Sequence, residues 1–309
     1  MTRLTARSAP MRALVAEIKR YADADANVLI TGGTGSGKDL VARTLHAMSA
    51  RRHHPFVVVD CPGLAATLIE SELFGHERGA FTDATVARAG RFELAGQGVV
   101  YLDRVDELPL ESQAKLLRLV EQKQVERLGS SLSMPMRARV IASASDDIAQ
   151  AVREGRFRTD LYHRLRVLPL RVPSLSERAG DLPVLARQLI ADRAAAGDRQ
   201  PPTLSREALA ALAAYRWPGN VRELAHVLER VLLASDTTSI AAADLPDTLL
   251  SPEAIVEGAV SGRPTLDELE RRYIAVVLKE TRGNQSRAAG ILGISRKALW
   301  EKRKRYGMK

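Results

Sequence analysis

A glycine-rich segment between an apolar run and a helical pattern constrains the fold more than any other feature of this chain. The segment TGGTGSGKD (31–39) follows the apolar run NVLI (27–30) and precedes the helical pattern DLVARTLHAMS (39–49). Glycines let the backbone fold closely around an anion, the amides at a helix start attract phosphate oxygens, and Lys38 adds a positive charge. The alternative, a glycine-rich turn with a chance lysine, fits this strand–turn–helix setting less well.

The segment therefore predicts a loop that binds nucleotide phosphates. The residues expected to form it are Gly32, Gly33, Thr34, Gly35, Ser36, Gly37, Lys38 and Asp39. Asp39 stands where such loops usually carry a Ser or Thr, whose hydroxyl contacts magnesium.

The rest of the chain alternates strand-like and helical stretches before it becomes wholly helical. Further apolar runs lie at 55–61, 98–103, 137–145 and 167–173, and this alternation predicts a parallel sheet covered on both faces. From about Pro173, helical patterns at 181–197, 205–217 and 220–235 predict a small lid domain. We predict an α/β nucleotide-binding domain at 1–172, a helical lid at 173–250, a Pro/Gly/Ser-containing linker at 251–264 and an all-α unit at 265–309.

Composition limits the cellular setting. The chain has 309 residues and one cysteine, Cys61, which excludes an internal disulfide and suits a reducing compartment. It contains no run of about 18 apolar residues that would predict a membrane span, and its first residues lack the apolar block of a signal peptide. We therefore expect a cytoplasmic protein without a membrane partner.

Positive charge is concentrated at the end of the chain, where the sequence has a helix-turn-helix rhythm. Residues 282–309 hold nine Lys or Arg and one acid, and the whole chain has a net charge of +9. Asn284 or Ser286 can cap a first helix, Gly293 permits a tight turn, and Ser295 can cap a second helix. This second helix fits the major groove of double-stranded DNA. The predicted contact residues are Ser295, Arg296, Lys297, Trp300, Lys302, Arg303 and Arg305. The alternative is a basic helical hairpin that contacts protein.

Several segments together resemble the sigma-54-dependent transcriptional activators, which are AAA+ ATPases also called bacterial enhancer-binding proteins. In chain order they are the phosphate loop, ESELFGHERGAFTDA (70–84), LDRVDELPLESQAKLLRLVEQKQVERLG (102–129), GRFRTDLYHRL (155–165), VPSLSERAGDLP (172–183) and RWPGNVREL (216–224). The C-terminal unit resembles the Fis-type module that ends these activators, and the helix at 265–280, with apolar residues at Leu266, Leu269, Tyr273, Val276 and Val277, is expected to dimerise it. The resemblance covers almost the whole chain.

The resemblance implies an AAA+ fold, ATP and Mg²⁺ as ligands, and assembly from dimers to hexamers, with itself or with a paralogous subunit. It also implies enhancer DNA and the sigma-54 RNA polymerase holoenzyme as partners. Because residue 1 lies almost at the start of the motor, we expect no regulatory domain ahead of it.

The family's sigma-contacting loop corresponds to Gly79, Ala80, Phe81, Thr82, Asp83 and Ala84, with Asp83 in place of a glycine. An exposed Phe81 would meet a partner, whereas the alternative places it under its own loop. The family's second pore-facing loop falls near 129–137.

Three arginines match family positions that contact the γ-phosphate. Arg158 and Arg164 match arginine fingers, which reach a neighbouring subunit's nucleotide, and one of the two could be structural because they lie six residues apart on a helix. Arg222 matches a lid arginine that senses the γ-phosphate within its own subunit. The alternative for Arg222 is a salt bridge at a helix start.

The segment VVYLDRVDELP (99–109) departs from the family at the acid pair that serves catalysis. By resemblance Asp103 holds the magnesium shell, but Arg104 replaces the glutamate that activates water. Arginine stays protonated and cannot act as a base. Asp60 and Ser145 likewise replace two family asparagines, the second of them a sensor of the nucleotide. We expect an Asp60–Arg104 ion pair.

Two interpretations follow for this segment. In the first, the protein binds ATP but hydrolyses it slowly or not at all; in the second, Asp106 or Glu107 takes over. The predicted function is an ATP-driven activator of sigma-54 RNA polymerase. The alternative is a DNA-binding regulator, or an inactive subunit of a mixed ring, that uses nucleotide only to assemble.

Overall fold

The computed structural model describes most of the chain. The described residues are 4–62, 66–81, 84–197, 199–234, 238–246, 249, 266–281 and 283–306. The predicted linker at 251–264, together with Thr82 and Asp83 of the predicted sigma-contacting loop, lies outside them.

Five parallel strands form the central sheet, in the order β2-β5-β8-β1-β9. The strands of the chain are β1 (Val28–Thr31), β2 (Phe56–Asp60), β3 (Gly75–His76), β4 (Arg88–Ala89), β5 (Val99–Asp103), β6 (Gln124–Glu126), β7 (Ser133–Pro135), β8 (Arg139–Ala144), β9 (Leu168–Arg171), β10 (Thr203–Leu204) and β11 (Ser239–Ile240). The five strands predicted from the apolar runs are the five strands of this sheet.

Helices follow the strands and then replace them. They are α1 (Ala9–Tyr21), α2 (Lys38–Ala47), α3 (Ala66–Phe74), α4 (Arg91–Ala95), α5 (Leu110–Gln122), α6 (Ile148–Arg153), α7 (Thr159–Leu165), α8 (Leu182–Ala196), α9 (Arg206–Ala214), α10 (Asn220–Ala234), α11 (Leu266–Glu280), α12 (Gln285–Leu292) and α13 (Arg296–Arg305). Short 3₁₀ turns occupy Val105–Glu107, Ser176–Asp181 and Ala242–Asp244.

Apolar side chains cover both faces of the sheet, as the near-continuous apolar runs predicted. One face packs residues such as Leu102 and Val140 against α3 to α7, and the other packs Tyr101 and Ile141 against α1 and α2. Successive residues of a strand point to opposite faces, so β1, β2, β5 and β8 contribute to both clusters, while β9 contributes Leu168 and Leu170 to the second. The α/β fold with a parallel sheet is confirmed.

The chain divides into two compact units. The first comprises Met1–Val184 and Pro218–Leu224, and the second comprises Leu185–Trp217 and Ala225–Lys309. The segment that carries Arg222 therefore belongs to the sheet-containing unit. In the second unit, Ile274, Val277, Ala288, Ala289 and Leu299 form the core of the three C-terminal helices.

Among the residues that the structure describes, none of the helices combines the length and the apolar composition needed to span a bilayer.

Candidate nucleotide and DNA interfaces

The carboxyl ends of β1, β5 and β8 bring the predicted nucleotide residues to one edge of the sheet. The phosphate loop follows β1, Asp103 ends β5, and Ser145 directly follows β8. Because β8 lies between β5 and β1, residues after β8 separate the loop from Asp103. Ligands of parallel α/β sheets bind at this edge.

Lys38 closes the phosphate loop on itself. Its Nζ donates to the carbonyl oxygens of Gly32 at 2.6 Å and of Gly33 at 3.2 Å. Burial lowers the pKa of Lys38, and the nearby carboxylates of Asp103 and Asp106 oppose that effect. The ammonium is thus held over the loop, where phosphate oxygens would replace the two carbonyls as acceptors.

Buried polar residues hold the back of the loop. Ser36 is 2% exposed, and its Oγ has no hydrogen-bond partner among the described residues. The buried Arg178 donates from Nη2 to the Ser36 carbonyl at 2.7 Å. Nearby, the fully buried Asp181 accepts from the amides of Arg7 and Ser8, each at 2.7 Å, and from the Ser8 hydroxyl at 2.8 Å. The turn Ser176–Asp181 therefore joins the phosphate loop to the start of α1.

Asn220 forms a contact with the loop that the sequence did not reveal. Its Nδ2 donates to the Thr34 carbonyl at 3.0 Å, and its Oδ1 accepts from the Leu175 amide at 2.7 Å. The Val221 amide donates to the Gly35 carbonyl at 3.1 Å. Gly35 has a φ of 71°, and a side chain there would lie 2.2 Å from the Gly219 carbonyl oxygen, so only glycine fits. The available signal was the WPGN sequence, since Asn tolerates the left-handed backbone that it adopts at a φ of 52°.

Arg222 lies in the same segment as Asn220. Its Cβ is among the atoms that a side chain at position 35 would meet, and its charge acts on Lys38. Asp39 is partly exposed and pairs with Arg43 at 2.9 Å, one helical turn away. The structure thus brings the loop and Arg222 together, while it directs Asp39 toward α2.

Two hydroxyl groups fix Asp103. Its Oδ1 accepts from the Ser143 hydroxyl at 2.5 Å and from the Tyr101 hydroxyl at 3.0 Å. The Arg104 amide in turn donates to Ser143 Oγ at 2.9 Å. The sequence analysis missed both hydroxyl residues. Tyr101 lies two positions before Asp103 on the same strand face, and the register that pairs Leu102 with Ala142 brings Ser143 beside Asp103.

The predicted Asp60–Arg104 ion pair is confirmed. Arg104 Nη2 lies 2.9 Å from Asp60 Oδ1, and the two side chains are 47% and 55% exposed. Burial alone would lower the pKa of Arg104, but the hydrogen bond to Asp60 and the charges of Asp60, Asp103 and Glu107 together outweigh burial, so the pKa is raised. The residue also has a left-handed φ of 56°. A pair this exposed contributes about 0–1 kcal/mol, so its main effect is to turn the guanidinium toward β2.

Asp106 bends back over the end of β8. Its Oδ2 accepts from the Ser145 hydroxyl at 2.6 Å and from the Ser145 amide at 3.0 Å. Its Oδ1 is buried and has no hydrogen-bond partner among the described residues. Ser145 therefore orients an acid that the sequence analysis named only as one of two substitutes. The other, Glu107, is exposed.

Arg158 and Arg164 lie on the surface and pair with acids. Arg158 forms two hydrogen bonds with Asp160, at 2.8 and 3.1 Å, and Arg164 lies 3.2 Å from Glu121. The two side chains are 41% and 56% exposed. The expectation that both lie on one helix was wrong, because Arg158 is the N-cap residue before α7 and has an extended backbone.

The predicted sigma-contacting loop starts from the β3–β4 pair. Phe81 is 38% exposed, and its ring packs edge-on against His76, with a centroid distance of 4.9 Å. The Gly79 amide donates to the Ala84 carbonyl at 2.8 Å and closes the loop. Two backbone hydrogen bonds connect the loop to the β6–β7 hairpin. The Glu77 amide donates to the Leu128 carbonyl, and the Leu128 amide donates to the Gly75 carbonyl, each at 2.9 Å. Phe81 is therefore both partly covered and reachable.

The C-terminal helices have the predicted caps and turn. Asn284 Oδ1 accepts from the Arg287 amide at 3.1 Å, Ser295 Oγ accepts from the Ala298 amide at 3.1 Å, and Gly293 has a left-handed φ of 66°. Leu299 is buried. In α11 the apolar stripe includes the buried Ile274, which the sequence analysis did not name. The side chains of Leu266 and Leu269 lie outside the described set.

The residues predicted to face DNA divide into two groups. Arg296, Lys297 and Trp300 are exposed. Lys302 instead donates to Glu270 at 2.5 Å, and Arg305 donates to Asp267 at 2.8 Å. Lys302 and Arg303 are half-buried, and their contact with DNA stays a prediction. Acids on α11 thus pair with Lys302 and Arg305, whereas Arg296, Lys297 and Lys304 are exposed along the basic helix.

Three family descriptions match successive parts of the chain. The Sigma-54 interaction domain matches residues 4–171, the AAA+ ATPase lid domain matches 176–259, and the Fis-family bacterial regulatory protein matches 265–306. The first match alone covers more than half of the chain. The chain belongs to the sigma-54 activator family.

Relatives of this family member align with nearly all of the chain. It is 42% identical over 306 residues to the C4-dicarboxylate transport transcriptional regulatory protein DctD of Pseudomonas aeruginosa, covering 99% of the chain and 64% of DctD. It is 39% identical over 308 residues to the regulatory protein AtoC of Escherichia coli, covering 97% of the chain and 67% of AtoC. The chain thus spans about two thirds of the length of these relatives.

A solved structure has the same fold. NtrX from Brucella abortus, determined in complexes with ADP and with ATP, superimposes with a TM-score of 0.77 at 33% identity, over 99% of this chain and 70% of NtrX. This similarity covers the sheet-containing unit, the lid and the C-terminal helices.

Proposed function

We propose that this sigma-54 activator family member binds enhancer DNA and uses ATP to remodel the sigma-54 RNA polymerase holoenzyme. The observation that carries the proposal is the sheet edge where Lys38 of the phosphate loop faces Asp103. The same chain ends in a basic helix-turn-helix, so nucleotide and DNA are bound by one polypeptide.

The loop amides and Lys38 are the proposed ligands of the ATP phosphates, and the ATP and ADP complexes of NtrX support this assignment. No group of three or more carboxylate, histidine or cysteine side chains among the described residues could hold a metal alone. Mg²⁺ bound with a nucleotide needs only one or two carboxylates beside phosphates and water, so Asp103 fits. Both hydroxyl bonds use Asp103 Oδ1, which leaves Oδ2 as the donor atom for the cation.

Assembly into a ring would bring the surface arginines to a neighbour's nucleotide. We propose that Arg158 and Arg164 exchange their exposed carboxylate partners for the γ-phosphate of the adjacent subunit. Arg222 would contact the γ-phosphate within its own subunit. A guanidinium fork stabilises the charge that develops on a transferred phosphoryl group.

Hydrolysis is the step that we expect to be slowed. Arg104 cannot act as a general base, and its side chain is directed to Asp60. Loss of a group that positions or deprotonates water costs about 10² to 10⁴ in rate. The motor is therefore proposed to bind ATP normally and to turn it over slowly.

The Asp60–Arg104 pair also favours a second candidate function. A chain that binds nucleotide without hydrolysing it would act as a DNA-binding regulator, or as the inactive subunit of a mixed ring. Nucleotide would then stabilise the assembly by mass action rather than drive remodelling.

Phosphate release, measured with and without enhancer DNA, separates the two candidates. Measurable phosphate release, even at a rate about 10² to 10⁴ below one per second, supports the ATP-driven activator. Nucleotide binding without turnover supports the assembly regulator. Absence of both ATP binding and ATP-dependent assembly would contradict both candidates.

Open-complex formation on a sigma-54 promoter tests the partner assignment. We expect Phe81→Ala to abolish it while ATP and DNA binding persist, because the partly exposed ring is the proposed contact. Leu94→Ala, which removes another exposed apolar side chain, is the matched control. Equal activity of the two variants would contradict a sigma contact through Phe81.

A further inference from the structure

We propose that Asp106, rather than the residue at position 104, orients the attacking water during ATP hydrolysis. The inference rests on the proposed function, since it names the residue that would support the ATP hydrolysis remaining when position 104 is an arginine. Its starting observation is a carboxylate with one oxygen held by protein and the other buried without a hydrogen-bond partner in the described part of the chain.

The position of Asp106 follows from the sheet order. Asp106 lies in the 3₁₀ turn after β5, and its carboxylate reaches Ser145 after β8, the strand adjacent to both β5 and β1. The carboxylate therefore lies between the Asp103 end and the phosphate-loop end of the sheet. A water that attacks the γ-phosphate must occupy this region, because the loop holds the phosphates from the β1 side.

Ser145 fixes the direction of the carboxylate. Two donors from one residue, the hydroxyl at 2.6 Å and the amide at 3.0 Å, both bind Oδ2. Rotation of the carboxylate would break both bonds, so Oδ1 is held in one orientation. A side chain fixed in this way loses little entropy when it positions a reactant.

The unpartnered Oδ1 identifies what the carboxylate lacks. A buried acceptor without a donor costs about 1–3 kcal/mol, and native structures rarely keep one without a function. A carboxylate is an acceptor, so the missing group is a donor. Water bound beside the γ-phosphate supplies such a donor.

The surroundings distinguish Asp106 from the other acids at this edge. Asp106 and Asp103 both act electrostatically on the Lys38 ammonium, which places them near the phosphates. Glu107 is exposed and acts on Arg104. Asp146 also acts on Lys38 but is exposed and lies 3.9 Å from Arg171.

The reaction balances with Asp106 as the transient proton acceptor. The water oxygen forms a bond to the γ-phosphorus while the bond from that phosphorus to the β,γ-bridging oxygen breaks, and its electron pair leaves with ADP. One water proton passes to Asp106 Oδ1 and then to the released phosphate. The carboxylate returns to its starting state.

Phosphate release and binding of a fluorescent ATP analogue, measured on the full chain, test the assignment. We expect Asp106→Asn to lower turnover by about tenfold or more with analogue affinity within about twofold. Ser145→Ala should lower turnover less, because it removes one of the two bonds that orient Asp106. Asp147→Asn removes an exposed acid from the same region and is the matched control.

A rescue separates chemistry from folding. Arg104→Glu returns a carboxylate to the end of β5, so we expect it to restore turnover to Asp106→Asn. Restored turnover shows that the single variant is folded and lacks only an acid. Failure of the rescue in a double variant that binds the analogue and unfolds at the wild-type temperature would overturn the proposal.

Three further results would also overturn it. These are undiminished turnover of Asp106→Asn, loss of turnover in Glu107→Gln instead, and wild-type protein that binds ATP but releases no phosphate. Each leaves nucleotide binding, and so the nucleotide part of the proposed function, intact. Wild-type protein that binds no ATP would overturn the proposed function itself and the role of Asp106 with it.

Discussion

The loop after β1 and the turn after β5 lie at the same edge of one sheet, yet they contribute different kinds of groups to the candidate nucleotide site. The loop uses backbone amides and one ammonium, Lys38, and its close contacts require glycine at position 35. The turn depends on particular side chains, with Arg104 directed to Asp60 and Asp106 to Ser145. We therefore expect phosphate binding to tolerate changes at the turn, and the rate of hydrolysis to depend on them directly.

The largest expected effect belongs to the loop. We expect Lys38→Ala to weaken ATP binding by about a hundredfold or more, because it removes the positive charge that lies over the phosphates. Equilibrium titration with a fluorescent ATP analogue measures it, and Arg43→Ala, on the exposed side of α2, is the control. Unchanged ATP affinity in a folded Lys38→Ala variant would contradict the proposed role of the loop in phosphate binding.

The turn should respond in rate rather than in affinity. Arg104→Glu, combined with Asp60→Asn to avoid two facing acids, is expected to raise phosphate release about tenfold or more over wild type, with ATP affinity nearly constant. The measurement is steady-state phosphate release at saturating ATP. A folded double variant with no gain would contradict the role assigned to the Arg104 position.

Asn220 tests how far the loop depends on its support. We expect Asn220→Ala to lower the free energy of unfolding by about 1–3 kcal/mol, since it leaves the Leu175 amide without its acceptor and places alanine at a positive φ. Thermal unfolding with and without ATP measures it. Asn220→Asp keeps the acceptor and should lose less; equal losses would assign the effect to the backbone.

The smallest effect should come from the support of Asp103. Tyr101→Phe removes one of two hydroxyl donors to Asp103. We expect the Mg²⁺ concentration needed for half-maximal ATP binding to rise about threefold, equivalent to less than about 1 kcal/mol. Ser143→Ala should raise this concentration further, because Ser143 also accepts from the Arg104 amide. Titrations with Mg²⁺ at fixed ATP compare the two variants, and a larger effect of Tyr101→Phe would reverse this order.

The sequence predicted the strands and the loop because their signals are local. Each apolar run, and the glycine spacing of the loop, lies within about ten consecutive residues. The resemblance also predicted the Asp60–Arg104 pair, because opposite charges replace an asparagine and a glutamate of the family at these two positions.

Contacts between distant segments were the part that sequence could not supply. The hydrogen bond from Asn220 to the Thr34 carbonyl joins residues that lie 186 positions apart in the chain. The hydroxyl of Ser143 reaches Asp103 only through the register of β5 and β8, which no single segment encodes. In the C-terminal unit the charges of Lys302 and Arg305 were visible, but their partners on α11 depend on how the helices pack.

The position of Asp181 bears on where the polypeptide can be shortened. Three of its donors come from Arg7 and Ser8, at the very start of the helical fold. A truncation that begins at Ala9 would leave the buried Asp181 carboxylate without these donors, next to the arginine that supports the Ser36 carbonyl. Removal of these first eight residues is thus expected to weaken the support of the nucleotide loop.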